Sequence, residues 1–273
     1  MAPLGRRAFL KSTALLAVSA AGCALAEAGE ELRVERVSLA TPALDPAHDG
    51  LRVAQLSDVH VGPLTPPERI RAAIEEANRF RPDLVVLTGD FLSYYYRLRK
   101  HSSPRLVTEQ LGGLDGPAIA VLGNHDHYSD AVGAAQALEG LGYGVLRNEN
   151  TAITLRGAPF TVVGIDDLST RHAEPARAMR GALARGSRLY LAHVPATAEA
   201  LVPLRRPALV LSGHTHGGQL NFPPFSAIPY RAGRYRLGPV QLYVSRGLGN
   251  SWFPFRVNAP PEVTLLTLRA LPA

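Results

Sequence analysis

The sequence predicts an α/β fold in one domain, with short buried strands alternating with amphipathic helices. Three observations support it. Five apolar runs of strand length, Leu51 to Ser57, Leu84 to Thr88, Ile119 to Leu122, Leu189 to Ala192 and Leu209 to Ser212, are rich in Val, Ile and Leu and read as buried strands. Helical patterns fall between several of them. Each run also ends in metal-ligand residue types, and in an open α/β sheet ligands gather in the loops beyond the carboxyl ends of the strands. With 273 residues, 46% hydrophobic and 19% charged, the chain can bury a sizeable core without covalent staples.

Taken in order, residues 1–26 read as a targeting segment outside the fold, leaving 27–273 as the domain. Gly5-Arg6-Arg7-Ala8-Phe9-Leu10-Lys11 resembles the twin-arginine signal of bacteria, and a weakly apolar stretch follows from Ser12 to Ala21. The resemblance implies export in the folded state by the twin-arginine machinery. The apolar stretch falls short of the roughly 20 residues that a membrane-spanning helix needs. Ala24-Leu25-Ala26 before Glu27 is an acceptable cleavage site, and Ala20-Ala21-Gly22-Cys23 is a loose lipoprotein box without its usual leucine. Cleavage after Ala26 is favoured over lipidation at Cys23.

Leu32 to Leu39 alternates apolar and polar residues, as an edge strand does. Pro66-Pro67-Glu68 opens an amphipathic helix to about Asn78, because proline suits a first helical turn. Leu106 to Leu111 and Ala131 to Leu141 are further helices. Thr151 to Leu155 and Phe160 to Gly164 form a hairpin around Arg156-Gly157-Ala158-Pro159. Gln241 to Ser245 and Val263 to Leu268 are the last strands, and Asn221 to Leu237 reads as a long surface loop of the kind that often carries binding functions.

The formal charge of +6 drops to +3 once Arg6, Arg7 and Lys11 leave with the leader, 26 basic against 23 acidic residues. A near-neutral domain argues against nucleic acid as the partner. The single cysteine, Cys23, excludes an intramolecular disulfide framework and a thiolate metal site in the domain. Hard ligands remain. They are Asp58 and His60, Asp90, Asn124, His193, and His214 and His216. Asp58 and His60, two apart in an extended turn, would face one ion together; His214 and His216 would likewise point to one side. Asp90 can give one oxygen to each of two ions and is the natural bridge. Mixed nitrogen and oxygen ligation suits Mn, Fe or Zn better than Ca or Mg, with Mn favoured. Two such ions leave the site positive, which favours an anionic phosphate ester.

In this order the motifs, Asp58-Val59-His60, Gly89-Asp90, Gly123-Asn124-His125-Asp126, His193 and Gly213-His214-Thr215-His216, resemble those of the calcineurin-like metallophosphoesterases. The resemblance spans Leu51 to Leu268. It implies a four-layer α/β/β/α sandwich of two mixed sheets flanked by helices, and a hydrolase with two divalent ions. It further implies that Asp58, His60, Asp90 and His216 hold one ion and that Asp90, Asn124, His193 and His214 hold the other. His125 would protonate the leaving group or stabilise phosphoryl charge, and Asp126 would orient it. Phe91-Leu92-Ser93 follows Asp90 where many members carry a second aspartate. Ser245-Arg246-Gly247-Leu248-Gly249-Asn250 and Arg256-Val257-Asn258-Ala259-Pro260-Pro261-Glu262 resemble an exported branch, related members of which cleave the pyrophosphate of acylated UDP-sugars.

The expected reaction is hydrolysis of a phosphoester or pyrophosphate outside the cytoplasmic membrane, on a phosphorylated small molecule or envelope lipid, with Arg246 as an added phosphate contact and peripheral membrane association in keeping with the substrate. Two rivals share the scaffold: a non-catalytic metal-binding module and a nuclease or nucleotide phosphodiesterase. His48, His101, His127 and His172 have no motif around them and read as solvated loop residues, with His127 nearest the site rim. Asp166-Asp167 is most simply a turn, and Tyr94-Tyr95-Tyr96 and Phe222-Pro223-Pro224-Phe225 are as well suited to packing as to binding.

Overall fold

Continuous apolar runs become strands buried on both faces because helices or a second sheet cover each side. The computed structural model describes residues 31–271 apart from 42–43, 96–99, 184–185, 223–227 and 252. The leader with Arg6, Arg7, Cys23 and Ala26 lies outside the described residues, as do Tyr96 and Pro223 to Phe225. In chain order the strands are β1 (Arg33–Thr41), β2 (Leu51–Leu56), β3 (Leu84–Thr88), β4 (Tyr94–Tyr95), β5 (Lys100–His101), β6 (Ala118–Val121), β7 (Gly144–Val145), β8 (Glu149–Leu155), β9 (Ala158–Ile165), β10 (Ser187–Ala192), β11 (Ala208–Ser212), β12 (Gly233–Leu237), β13 (Val240–Val244) and β14 (Glu262–Ala270). The α-helices are α1 (Pro67–Arg79), α2 (Pro104–Leu111), α3 (Asn124–Ser129), α4 (Ala131–Gly140) and α5 (Pro175–Ala178).

The strands form two mixed six-stranded sheets, ordered β1-β14-β2-β3-β6-β7 and β12-β13-β11-β10-β9-β8, with β4 and β5 as a separate pair. In the first sheet β2, β3, β6 and β7 run parallel, and β14 lies antiparallel to β2 but parallel to β1. In the second, β9, β10, β11 and β13 run parallel between antiparallel edges β8 and β12. The inner faces meet in one core: Leu51, Val53, Leu84 and Val86 pack with Phe160, Val162, Leu189, Leu191 and Leu209. The outer face of the first sheet buries Ala54, Leu56, Val85 and Leu87 against Ile70 and Ala73 of α1, Val107 of α2 and Leu138 of α4. The outer face of the second is covered more thinly. Ala178 of α5 and Ala198 and Leu201 of the 3-10 segment Pro195–Leu204 pack on Val163, Tyr190, Val210 and Leu242. Pro203 near the end of that segment lacks an N–H and does not extend a helical hydrogen-bond ladder there. The order of layers is α/β/β/α.

Most elements expected from the sequence are present within a residue or two. The hairpin turn is the two-residue pair Arg156-Gly157, both at positive φ (49° and 80°), the geometry that matches strand twist. Two expectations need correction. Asn221 to Leu237 is not loop throughout, since its last five residues form β12, pinned to β13 from Gly233↔Val244 to Leu237↔Val240. His48 is no solvated loop residue: it is fully buried, with ring nitrogens 2.6 Å from Ser187 Oγ and 3.1 Å from Leu155 O. A histidine at the end of a three-residue 3-10 turn, Pro46–His48, has no periodic signature in sequence.

Candidate metal centre

All the candidate ligands leave the carboxyl ends of parallel strands: Asp58 and His60 follow β2, Asp90 follows β3, Asn124 follows β6, His193 follows β10, and His214 and His216 follow β11. They do not face the site as extended segments. Asp58, His60, Asp90, His214 and His216 sit at positive φ, between 47° and 71°, so each turns sharply off its strand. Strain of this kind clusters where the surrounding structure fixes a functional geometry. The motif glycines make room for it. A Cβ on Gly123 would overlap the Asp90 carboxylate, and one on Gly213 would overlap Ser57 and Asp58.

The side chains gather into two groups that share Asp90. Asp58, His60, Asp90 and His216 offer ligand atoms to one point, and Asp90, His193 and His214 to another. In the first, His60 Nε2 lies 3.0 Å from His216 Nε2 and 3.5 Å from Asp90 Oδ2, and His216 Nε2 lies 3.4 Å from Asp58 Oδ1. In the second, His193 Nε2 lies 3.2 Å from Asp90 Oδ2 and 3.2 Å from Asn124 Oδ1, and His214 Nδ1 lies 2.9 Å from Asn124 Oδ1. His214 and His216 therefore serve different groups, contrary to the expectation that they share a side. Metal–nitrogen bonds near 2.1 Å place neighbouring ligand atoms roughly 3 to 3.4 Å apart, which these separations match.

Whether the residues fit cations is decided by their hydrogen bonds. His60 Nδ1 faces Leu92 O at 3.2 Å and His193 Nδ1 faces Thr88 O at 2.8 Å. A carbonyl only accepts, so each Nδ1 carries the proton and each Nε2 presents a lone pair to the centre. Around His193 that lone pair meets the Asp90 carboxylate and the Asn124 oxygen, both of which also accept. Such a cluster of acceptors needs positive charge among them. In its place the Asp90 and Asp58 charges hold a proton on His193, overcoming burial and lifting it to about 10. Burial pushes Asp90 up, but His193, His125 and His60 hold it well below the usual carboxylate range. Burial lowers His60 to about 3 and, with His193, lowers His214 to about 4. Burial raises Asp58 to about 6, although Ser57 Oγ donates to it at 2.6 Å.

His125 is buried beside the cleft, and Tyr94 N donates to its Nδ1 at 3.3 Å, which leaves Nε2–H as the donor of the neutral ring. Asp126 does not orient it. Its Oδ1 accepts from Phe91 N and Leu92 N (both 2.9 Å), and its Oδ2 from Asp90 N (3.0 Å) and Gly123 N (2.9 Å). Burial and the Asp90 charge push Asp126 up to about 7. Four donors facing its two oxygens leave no direction for an acid proton, so it works as an ionised clamp on the Asp90 turn. Arg246 likewise departs from its expected role. Its guanidinium pairs with Glu35 and, at 3.1 Å, with Glu262, and it is absent from the described wall of the cleft. It ties β1 to the start of β14.

The other histidines divide. His101 and His172 are exposed. His127 is not: its Nε2 meets Asp166 Oδ1 at 2.7 Å, Arg147 Nε reaches the same carboxylate at 3.3 Å, and its ring stacks on His172 at 4.2 Å. Asp167 caps the turn to Thr170. The carbonyls of Thr88 and Leu92 had no chemical signal in sequence, and the motif that singled out Asp126 did not reveal its four backbone partners, because the fold brings those atoms up.

A cleft of about 370 Å3 opens over the two groups, lined by Asp90, Asn124, His125, Tyr128, His214 and Gln219 among others. Two adjoining sets of hard ligands share one carboxylate at the strand ends of an α/β/β/α sandwich and form candidate metal-ligand clusters. Residues 51–218 match the calcineurin-like phosphoesterase family. Metallophosphoesterase YkuE of Bacillus subtilis is 31% identical over 99% of each chain, and phosphodiesterase YaeI of Escherichia coli is 32% identical over 97% of this chain and 99% of its own. A transmembrane protein with metallophosphoesterase domain from Danio rerio is 32% identical over 94% of this chain, which spans only 61% of that relative. A solved 5′-nucleotidase precursor from Thermus thermophilus is 16% identical, with 80% of this chain and 54% of that one covered and a TM-score of 0.48. The chain belongs to the calcineurin-like phosphoesterase family and is a metal-dependent phosphoric ester hydrolase, of a family that uses divalent metals.

Proposed function

We propose that the protein is an exported phosphodiesterase that cleaves a phosphoester or pyrophosphate bond outside the cytoplasmic membrane. The observation that carries this reading is the position of Asp90, shared by both ligand groups on the floor of an open cleft. Asp58, His60, Asp90 and His216 would hold one ion and Asp90, Asn124, His193 and His214 the other. Bound ions, Mn in the favoured case, supply charge neutralisation on the phosphoryl oxygens and activation of water. The protein's part is to hold these ligands, to place the His125 Nε2–H as proton donor to the departing oxygen, and to keep one face of the centre open to substrate.

Among the described residues the cleft wall carries no lysine or arginine. The description of YaeI as a phosphodiesterase supports a diester as substrate. An envelope lipid or UDP-sugar lipid suits export, and a near-neutral domain disfavours a nuclease. The leader Arg6-Arg7 supports the twin-arginine route, and peripheral attachment to a membrane fits either exit from it. No helix among the described residues is long and apolar enough to cross a membrane.

Purified protein loaded with Mn, Fe or Zn is screened for nitrophenol release on bis-nitrophenyl phosphate and nitrophenyl phosphate, for UMP release from UDP-sugar lipids, and for phosphomonoester or phosphate products from cell-wall phosphodiesters and nucleotides. Diesters are expected to turn over faster than monoesters. Tight binding of two ions with no turnover of any ester would leave the non-catalytic scaffold standing instead.

A further inference from the structure

Two segments leave the cleft end of the second sheet, residues 213–232 after β11 and residues 245–261 after β13. They are zipped together: Asn221 N donates to Val257 O (2.9 Å), Val257 N to Gln219 O (2.8 Å), and Gln219 Nε2 to Phe253 O (2.9 Å). Thr215, between the two histidines of the last motif, donates from Oγ1 to Arg231 O (2.6 Å), so the pair is moored on a ligand turn. Gln219, Ile228 and Ser251 line the cleft. The same segments carry Phe222 (56% exposed), Phe253 (47%) and Phe255 (37%), the three exposed phenylalanines among the described residues, and Ile228 is 44% exposed. Single apolar residues on a surface are ordinary, but three phenylalanines on one pair of loops at a cleft mouth mark a contact site.

Charge identifies the partner. Residues 200–261 hold seven arginines and no aspartate or glutamate, whereas residues 27–199 hold 18 lysines and arginines against 22 aspartates and glutamates. Arg231 Nη1 donates to Asn221 Oδ1 (2.8 Å), next to Phe222, and β12 begins at the cleft end with Gly233 facing Val244, which brings the exposed Arg234 to the same side. From outside the segments, Glu199 accepts from Tyr230 Oη (2.9 Å). A second copy of the chain would bring the same positive charge and be repelled. Aromatic side chains that enter the headgroup boundary, beside arginines that meet lipid phosphates, are the chemistry of a surface lying on an anionic bilayer. We propose that this rim docks on an anionic lipid surface, with Phe222, Phe253 and Phe255 entering the boundary and Arg231 and Arg234 meeting headgroup phosphates, so that the cleft opens towards substrate held in the membrane. The proposal deepens the envelope-lipid reading above, and its test reads binding apart from turnover.

The full chain is mixed with vesicles of phosphatidylcholine alone and of phosphatidylcholine with phosphatidylglycerol. Binding is followed by co-sedimentation and by the emission of Trp252, the single tryptophan, which adjoins Phe253 in sequence. The chain should bind the anionic vesicles, less so in high salt, with a blue shift in emission. Phe253→Ser and Phe255→Ser should each weaken that binding about 3- to 15-fold, the scale of burying half an aromatic side chain. Arg234→Gln should weaken it about 5-fold, on anionic vesicles only. Val132→Ser, at an exposed apolar position on α4, should bind as the unaltered chain does. Unchanged unfolding temperatures and unchanged turnover of soluble bis-nitrophenyl phosphate are expected of all four variants. No binding, equal binding to both kinds of vesicle, binding that survives the phenylalanine changes and so belongs to the leader, or an equal loss in Val132→Ser would each overturn the proposal. So would a dimer of the free protein that Phe253→Ser dissolves. An unaltered chain that docks as described yet turns over no phosphate ester would defeat the envelope-lipid hydrolase reading and leave the docking surface standing.

Discussion

Asp90 is the residue on which both ligand groups depend, so it should behave unlike any other ligand. Asp90→Ala should lose both ions and all turnover, measured as metal per chain after desalting, whereas His193→Ala should lose one. An Asp90→Ala protein that keeps two ions and activity would end the shared-carboxylate account. His125 belongs to a different category, because it lies beside the ligands and its donor nitrogen is fixed by Tyr94 N. His125→Ala should retain its metal and lose about 10²- to 10⁴-fold in kcat on alkyl esters, and less on nitrophenyl esters, whose leaving oxygen needs no proton. Equal losses on both would assign His125 to charge stabilisation or positioning. His193 supplies a pH signature. Its folded value near 10 stands above the ordinary histidine value of 6.5, so in metal-free protein its charge stabilises the fold fully below pH 6.5, and that contribution is lost as pH rises towards 10. An ion must displace this proton. Affinity at the second group should therefore rise about tenfold per pH unit from 7 to 9, with proton release visible as a buffer-dependent heat. A pH-independent affinity would show that His193 is already neutral.

At the scale of elements, the strands that carry the site were legible because burial on both faces writes itself as runs such as Leu84 to Thr88, and because the ligand types stand directly after those runs. The turns between were less legible. Asp58 and His60 are brought together by left-handed backbone rather than by an extended period of two, and nothing in the residue types Asp-Val-His announces a φ of 50°. Gly123-Asn124-His125-Asp126 also reads as a turn, yet Asn124 begins α3 and Asp126 at its third position reaches back across the β3 turn. Periodicity does not register a six-residue helix. Asp126 then joins two strand ends by accepting from four backbone N–H groups, and its removal would leave four buried donors without a partner. Asp126→Ala should cost the metal-free protein about 3 to 5 kcal/mol in chemical unfolding and impair metal binding through the displaced Asp90 turn. Asp126→Asn, which has one acceptor oxygen, should fall between. An unfolding midpoint unchanged in Asp126→Ala would show that water satisfies those donors.

Across the whole molecule, two sheets are held face to face by contacts remote in sequence, and the candidate ligands come from both of them. β14, the last strand, inserts between β1 and β2, and Glu262 at its start accepts from Tyr243 Oη (2.8 Å) while pairing with Arg246. The ligands span positions 58 to 216 and follow strands of both sheets. On the proposed export reading, a route that carries folded proteins would let the ions be loaded in the cytoplasm, where the metal supply differs from that outside. The paired Arg6 and Arg7 are in keeping with such a route. Changing both to lysine should leave precursor inside the cell, folded, metal-loaded and active, with residues 1–26 still attached, as read by fractionation, metal content and the mass of the amino terminus. Mass also separates the two exits, since lipidation retains Cys23 and cleavage after Ala26 begins the chain at Glu27. Export of the double variant at the normal rate, or unaltered protein found in the cytoplasm with Glu27 still joined to Ala26, would remove the twin-arginine address and with it the reason for loading before export.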